Sequence, residues 1–106
     1  MPKYLFDFSY STEGLKGLLK EGGTSRKEAT TKLAESLGGK VEAYYFTFGK
    51  SDGFLIADVP DHASAAAASL IASASGAVSV HTTVLLTPAE IDDAAKKHGD
   101  YRPPGT

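Results

Sequence analysis

Asp7 and His81 are the two side chains in this sequence best suited to moving a proton. Each sits in the middle of a strand-like run, KYLFDFSY over residues 3–10 and AVSVHTTVLL over residues 77–86. Alternation puts Asp7 on one face with Leu5 and Ser9, and His81 on one face with Ser79, Thr83 and Leu85. If the two runs are neighbours in one sheet, the carboxylate and the imidazole share a face and form an acid/base pair, so they are the candidate catalytic residues. The plainer alternative is two separate polar residues on a half-wet sheet, and a one-residue slip would part them.

Arg26 stands near a helix start, where the macrodipole favours acids over bases. It is either half of a surface ion pair or a contact for an anion or carboxylate. Tyr4, Tyr10, Tyr44 and Tyr45 supply aromatic surface whose hydroxyls need a polar edge. Packing is their first role and pocket lining their second. Tyr10, Arg26 and Tyr45, together with Asp52, are the candidate ligand-binding residues.

The stretch FGKSDGF, residues 48–54, carries the letters Gly49-Lys50-Ser51 of a phosphate-binding loop. That loop also requires a glycine where this chain has Tyr44, and a helix where Phe54-Leu55-Ile56-Ala57-Asp58 reads as a strand. The segment is instead a hairpin connection. Gly49 and Gly53 accept turn geometry, and Asp52 can bind backbone N–H groups.

His62 and His98 fall at helix ends, where solvation is the simplest expectation, and three dispersed histidines make no metal motif. The absence of cysteine removes disulfides and thiolate chemistry and fits a reducing cytoplasm. Gly49-Lys50-Ser51-Asp52-Gly53 spells Gly-x-Ser-x-Gly, but a strand and not a helix follows it, so no nucleophile elbow is read there. No cofactor and no metal are expected.

The elements that must position these residues follow from length and pattern. A chain of 106 residues makes one domain with one core. A formal net charge of −2, with the basic residues scattered, disfavours nucleic acid or an anionic membrane as partner. The N-terminal MPKYLFDFSY has neither the apolar run of a signal peptide nor that of a membrane span.

After the first strand, Ser11-Thr12-Glu13 begins a short helix that Gly22-Gly23 ends. Ser25 with Glu28 fits a capping box for a second helix, Thr24 being the competing N-cap. Ala29, Leu33 and Leu37 give that helix one apolar stripe, and Gly38-Gly39 stops it. Residues 40–48 and 54–59 read as strands, with Val41 and Tyr45 on one side of the former and Tyr44, Phe46 and Phe48 on the other.

The Ala- and Ser-rich segment 62–76 reads as a helix capped by Asp61 and stopped by Gly76, with Ala66, Leu70, Ile71 and Ala74 on its apolar side. Thr87-Pro88-Ala89-Glu90 is a strong start for a last helix. The domain spans residues 1–99, and 100–106 form a loose tail.

Merging the two early helices gives the order βαββαβ plus a C-terminal helix. This predicts an α+β fold of the ferredoxin-like, split-βαβ kind, with a four-stranded antiparallel sheet and helices on one face. Apolar residues on both strand faces require a second cover. That cover is a second copy, forming a dimeric α/β barrel, or else the C-terminal helix.

The chain resembles the GYD-domain family, small bacterial proteins of uncharacterised function. The resemblance covers residues 2–97. It rests on KYLFDFSYSTEGLKGLLKEGG, Arg26, Leu37-Gly38-Gly39, Gly49 with Asp52, Val59-Pro60-Asp61, Ser75-Gly76 and Thr82-Thr83, in that order. It implies a dimeric α/β-barrel type of fold and no established reaction. Of the Gly-Tyr-Asp signature only Gly49 and Asp52 are kept, with Lys50 and Ser51 between them. The expected function is a homodimer or higher homo-oligomer that binds a small molecule at the open sheet face. The alternative is a cofactor-independent enzyme of the monooxygenase or isomerase type, with Asp7 and His81 beside an enclosed pocket.

Overall fold

Alternating aromatics drive the first element. In the computed structural model, which describes all residues 1–106, Lys3–Tyr10 forms β1 with Tyr4, Phe6 and Phe8 buried and Leu5, Asp7 and Ser9 facing the other way. Three further strands join it: β2 (Lys40–Phe46), β3 (Gly53–Asp58) and β4 (Val78–Leu85). Every pairing is antiparallel, and the sheet runs β2-β3-β1-β4. The strands with the most buried residues, β1 and β3, are central, while β2 and β4 are edges. Four helices complete the chain: α1 (Thr12–Glu21), α2 (Gly23–Ser36), α3 (His62–Ala74) and α4 (Pro88–Ala95). The molecule is thus an α+β domain with an open four-stranded antiparallel sheet.

The core is small. Seven buried apolar residues form it: Tyr4, Phe6 and Phe8 from β1, Leu55 and Ala57 from β3, then Val59 and, from α3, Ala65. Tyr10, Val41, Tyr44, Ala68, Val78 and Val80 pack at its margin.

Several local expectations are corrected. α2 begins at Gly23, so Ser25 and Glu28 lie inside the helix and no side chain caps it. Gly22, at φ +87°, is at once the C-cap of α1 and the N-cap of α2. That positive φ turns the chain without a loop and removes the position a capping box would occupy. β2 ends at Phe46, two residues early, and Phe48 is fully exposed in the following loop.

A bulge between Val41 and Ala43 breaks the alternation of β2. Val41 therefore pairs with Ala57, and Tyr44 with Leu55, on the helix-covered face, while Tyr45 pairs with Phe54 on the open one. Val41 and Tyr45 consequently lie on opposite faces, against the expected alternation.

α3 also presents a different face from the expected one. Ala65 is buried, Ala68 packs against the core, and Leu70 and Ile71 are 70% and 53% exposed. Small side chains let a helix approach a sheet closely, and that gain outweighed burying the two large residues. The Asp61 cap holds as expected, its Oδ1 accepting from the Ser64 N–H at 2.8 Å. Ser69 and Thr82 exchange a short hydroxyl contact that joins α3 to β4.

α4 starts with the expected capping box of Thr87 and Glu90 and Pro88 in its first turn. It covers neither the open face nor the sheet edge, and each of its residues is exposed. The shape reflects this. The radius of gyration is 16.9 Å, where a chain of this length packs into about 13 Å. The accessible surface is 7444 Å², against about 5,700 Å² for a folded monomer of this mass.

Candidate functional site

Two layers face each other across a gap. α1 and α2 lie over one half of the sheet and α3 over the other, and α3 makes little contact with either of them. Between them is a cleft of about 420 Å³ lined by 24 residues, 17 of them hydrophobic. Its floor is Phe6, Phe8, Leu55, Ala57, Val78 and Val80. Leu18 of α1 with Ala29, Leu33 and Ala34 of α2 form one wall, and Ala68, Ala72 and Ser75 of α3 the other. The expected α2 stripe of Ala29, Leu33 and Leu37 therefore lines the cleft, although α2 buries no residue.

Small residues keep this space open. Gly17 lines it, and a Cβ built there would meet no atom within 4 Å. Gly14, one turn earlier, is the opposite case, for a Cβ there would lie 2.0 Å from the Ala77 carbonyl oxygen. α1 is thus held against the start of β4 through Gly14, with the Ser11 N–H donating to the same carbonyl at 2.9 Å.

One end of the cleft is aromatic and polar. Phe8 packs with Tyr10, Tyr44 and Phe46 at ring-centroid distances of 5.5, 5.6 and 6.2 Å. Gly23 lacks the Cβ that would lie 2.9 Å from the Phe46 ring. Burial pushes the Tyr44 phenol up to about 12, and neighbouring Tyr10 adds to the rise, while contact with Thr30 and the charge of Arg26 pull the other way. Tyr44 is therefore a neutral hydroxyl at any physiological pH, able to donate or accept. Arg26 lines the same end and approaches Glu21 at 3.8 Å, longer than a hydrogen bond, so its guanidinium is only loosely engaged. Glu13 at the rim pairs with Lys16 at 3.3 Å.

A second hollow, about 670 Å³, lies over the outer surface of α2. Seven of its eight lining residues are polar or charged, and it is open to solvent like any solvated helix face. It offers no enclosure to a ligand.

The sequence candidates divide between the two faces of the sheet. Tyr10 and Arg26 line the cleft. Asp7 and His81 are direct partners in the β1–β4 ladder, on the open face. They form no ion pair or hydrogen bond with each other; the Asp7 Oδ1 accepts from the Ser51 hydroxyl at 3.2 Å. Tyr45, also on the open face, is exposed and packs on Phe54 at 5.7 Å. At the far edge of that face, the Lys3 ammonium sits between Asp58 at 2.9 Å and Glu42 at 3.3 Å, and the Asp58 hydrogen bond raises its pKa.

Asp52 has a structural task. Its Oδ2 accepts from the Tyr10 N–H at 2.7 Å, and its own N–H donates to the Phe8 carbonyl at 2.9 Å. These bonds extend the pairing of β1 beyond the end of β3 and pin the 47–52 loop.

His62 is not simply solvated. Its Nδ1 meets the hydroxyl of the fully buried Tyr4 at 2.5 Å, with the rings edge to face.

Sequence reasoning passed over Thr30, and it weighed Tyr44 as pocket lining without choosing it as a ligand candidate. Thr30 lies one helical turn beyond Arg26, a spacing that would have found it. The bulge of β2 brings Tyr44 to the same face as Val41, which simple alternation does not foresee. No group of three or more His, Asp or Glu side chains is placed to hold a metal ion. No helix is long and apolar enough to cross a membrane.

The family model of the GYD domain matches residues 4–95. The chain belongs to the GYD domain family. No curated protein and no solved structure matches it. Within this GYD domain Gly49 and Asp52 lie in the 47–52 loop, where Asp52 acts as a clamp on β1. Ser51 ties that loop to Asp7.

Proposed function

We propose that this GYD domain is a homodimeric small-molecule-binding protein that holds its ligand in the cleft between sheet and helices. The cleft carries the reading. Its volume of about 420 Å³ falls within the roughly 300–1,000 Å³ of small-molecule sites, and a mostly apolar lining with a few convergent polar groups is their usual chemistry. The opposite sheet face offers Asp7 and His81 but serves better as a subunit contact.

The subunit arrangement in this proposal is ferredoxin-like and barrel-forming. Taken from its other edge the strand order is β4-β1-β3-β2, with the α1–α2 and α3 connections on one face, which supports that topology. Leu5, Phe54, Ile56 and Tyr45 share the open face, which no element of the chain covers. Two sheets joined through these faces make a dimeric α/β barrel. The lack of cysteine suits the cytoplasm.

The cleft is tested by titrating the protein with 2-naphthol, a neutral aromatic probe, and following amide resonances. Saturable shifts centred on Ala29, Ala68 and Ala72 support it. Shifts centred on Leu5, Phe54 and His81, or none at millimolar probe, would remove it. Light scattering tests the dimer: a monomer mass at 100 μM would sink that part.

The second reading is a cofactor-independent enzyme using Asp7 and His81. Their direct pairing on neighbouring strands favours it. In a face-to-face dimer the pair would lie between the sheets, so this reading requires an enclosed space there.

A further inference from the structure

We infer that the cleft selects an aromatic carboxylate, with Arg26 as the group that reads the acid. This rests on the reading of the cleft as a ligand site and adds the chemical class of the ligand.

Four observations converge on it. The polar groups are gathered at one end of the cleft, so the ligand has one polar end and an apolar body. That same end is lined by the rings of Phe8, Tyr10 and Tyr44, which favour a flat ring next to the polar group. Arg26 is the one cation of the lining. A guanidinium presents a planar fork of donors that matches a carboxylate, and this one is committed only to a contact of 3.8 Å with Glu21.

The rim acids do not spoil the match. Glu13 is engaged by Lys16 at 3.3 Å. Glu21 competes with the ligand for Arg26 and is exposed enough to be rehydrated when displaced. The hydroxyls of Tyr44, Tyr10 and Thr30 surround the same end and can add hydrogen bonds to the ligand. The walls of alanine and glycine, above all Gly17, leave room for the ring.

The test compares 2-naphthoate with 2-naphthol on the intact protein and two variants, with amide shifts and calorimetry as readouts. Wild type should bind the acid about tenfold more tightly than the alcohol, the scale of one partly solvated charge-assisted hydrogen bond. Arg26→Met should abolish that preference, bringing the two affinities to within about twofold of each other. Glu21→Gln should raise naphthoate affinity severalfold by freeing Arg26.

If wild type holds naphthoate no better than naphthol, or if Arg26→Met keeps the preference, the inference is overturned while the cleft still stands on its naphthol shifts. If neither probe moves the cleft resonances, the cleft reading itself fails and takes this inference with it. Arg26→Lys separates a fork from a mere charge, since it should recover only part of the preference. Full recovery by lysine would overturn the guanidinium geometry argued above.

Discussion

Asp7 and His81 stand opposite each other across the β1–β4 ladder, on the face of the sheet turned away from the cleft. A whole sheet layer separates them from Tyr10, Tyr44 and Arg26. Effects of substitutions at well-separated sites without shared partners are nearly independent. His81→Ala should therefore bind 2-naphthol with an affinity within about twofold of wild type, measured by calorimetry. A loss well beyond that would return the pair to the ligand site.

The open face should be the seat of association. Phe54 packs on Tyr45 there, with Leu5 and Ile56 beside them. In an isolated subunit Phe54→Glu puts a carboxylate into water at little cost. In a face-to-face dimer it buries that charge without a partner, a penalty of several kcal/mol. The variant should elute as a folded monomer, with its far-ultraviolet circular dichroism retained. A dimer mass for Phe54→Glu would move the contact elsewhere.

Gly14 and Gly17 lie one turn apart on α1 and should respond in opposite directions. Alanine at 14 drives a methyl group into the Ala77 carbonyl, 2.0 Å from its ideal position. Overpacking of this kind costs about 1–3 kcal/mol. Alanine at 17 meets nothing within 4 Å, so only the helix preference is felt, a gain of about 0.5–1 kcal/mol. Urea unfolding of the two variants checks both signs. A stabilised Gly17→Ala with weaker naphthol binding would mark Gly17 as kept for space at the expense of helix stability.

Much of this architecture was legible because local signals were strong. Alternating aromatics fixed the inward face of β1, and Thr87-Pro88 with Glu90 fixed the start of α4. The pairing of Asp7 with His81 followed from alternation and strand adjacency alone. What escaped depended on contacts between distant segments. The bulge at Val41/Ala43 leaves no composition cue, and it moved Tyr44 and Tyr45 relative to Val41. α3 was misread because large apolar residues were expected inward, whereas close approach to the sheet selected Ala65 and Ala68. The cleft arises from the separation of α3 from α1 and α2, a tertiary spacing that no short run encodes. Arg26 was legible as out of place on a helix start, but its surroundings were not.

Tyr44 gives the protein an alkaline signature. Its phenol titrates at about 12 in the fold and near 10 in the unfolded chain. The folded state therefore holds its proton more tightly. The associated stability is fully present below pH about 10 and is lost as pH rises through about 12. Melting temperature should fall across that window, less steeply in Tyr44→Phe than in wild type. Absorbance near 295 nm should show one fewer late-titrating phenol in the variant. Identical pH profiles for the two proteins would mean that Tyr44 is not desolvated in the cleft.

Tyr4 and His62 tie α3 to the sheet through one hydrogen bond of 2.5 Å. The two ends of that bond are not equivalent. Tyr4 is 1% exposed, while His62 is exposed. Tyr4→Phe removes the buried hydroxyl and lets the imidazole turn to water, so it should cost about 1 kcal/mol or less. His62→Ala strands the buried hydroxyl without a partner and also removes the edge-to-face ring contact, so about 1–3 kcal/mol is expected. Because stranding needs the hydroxyl to be present, the double variant should be less destabilised than the sum of the singles. Urea unfolding of the four proteins yields the coupling. If His62→Ala costs no more than Tyr4→Phe, water reaches the hydroxyl and the bond does not anchor α3.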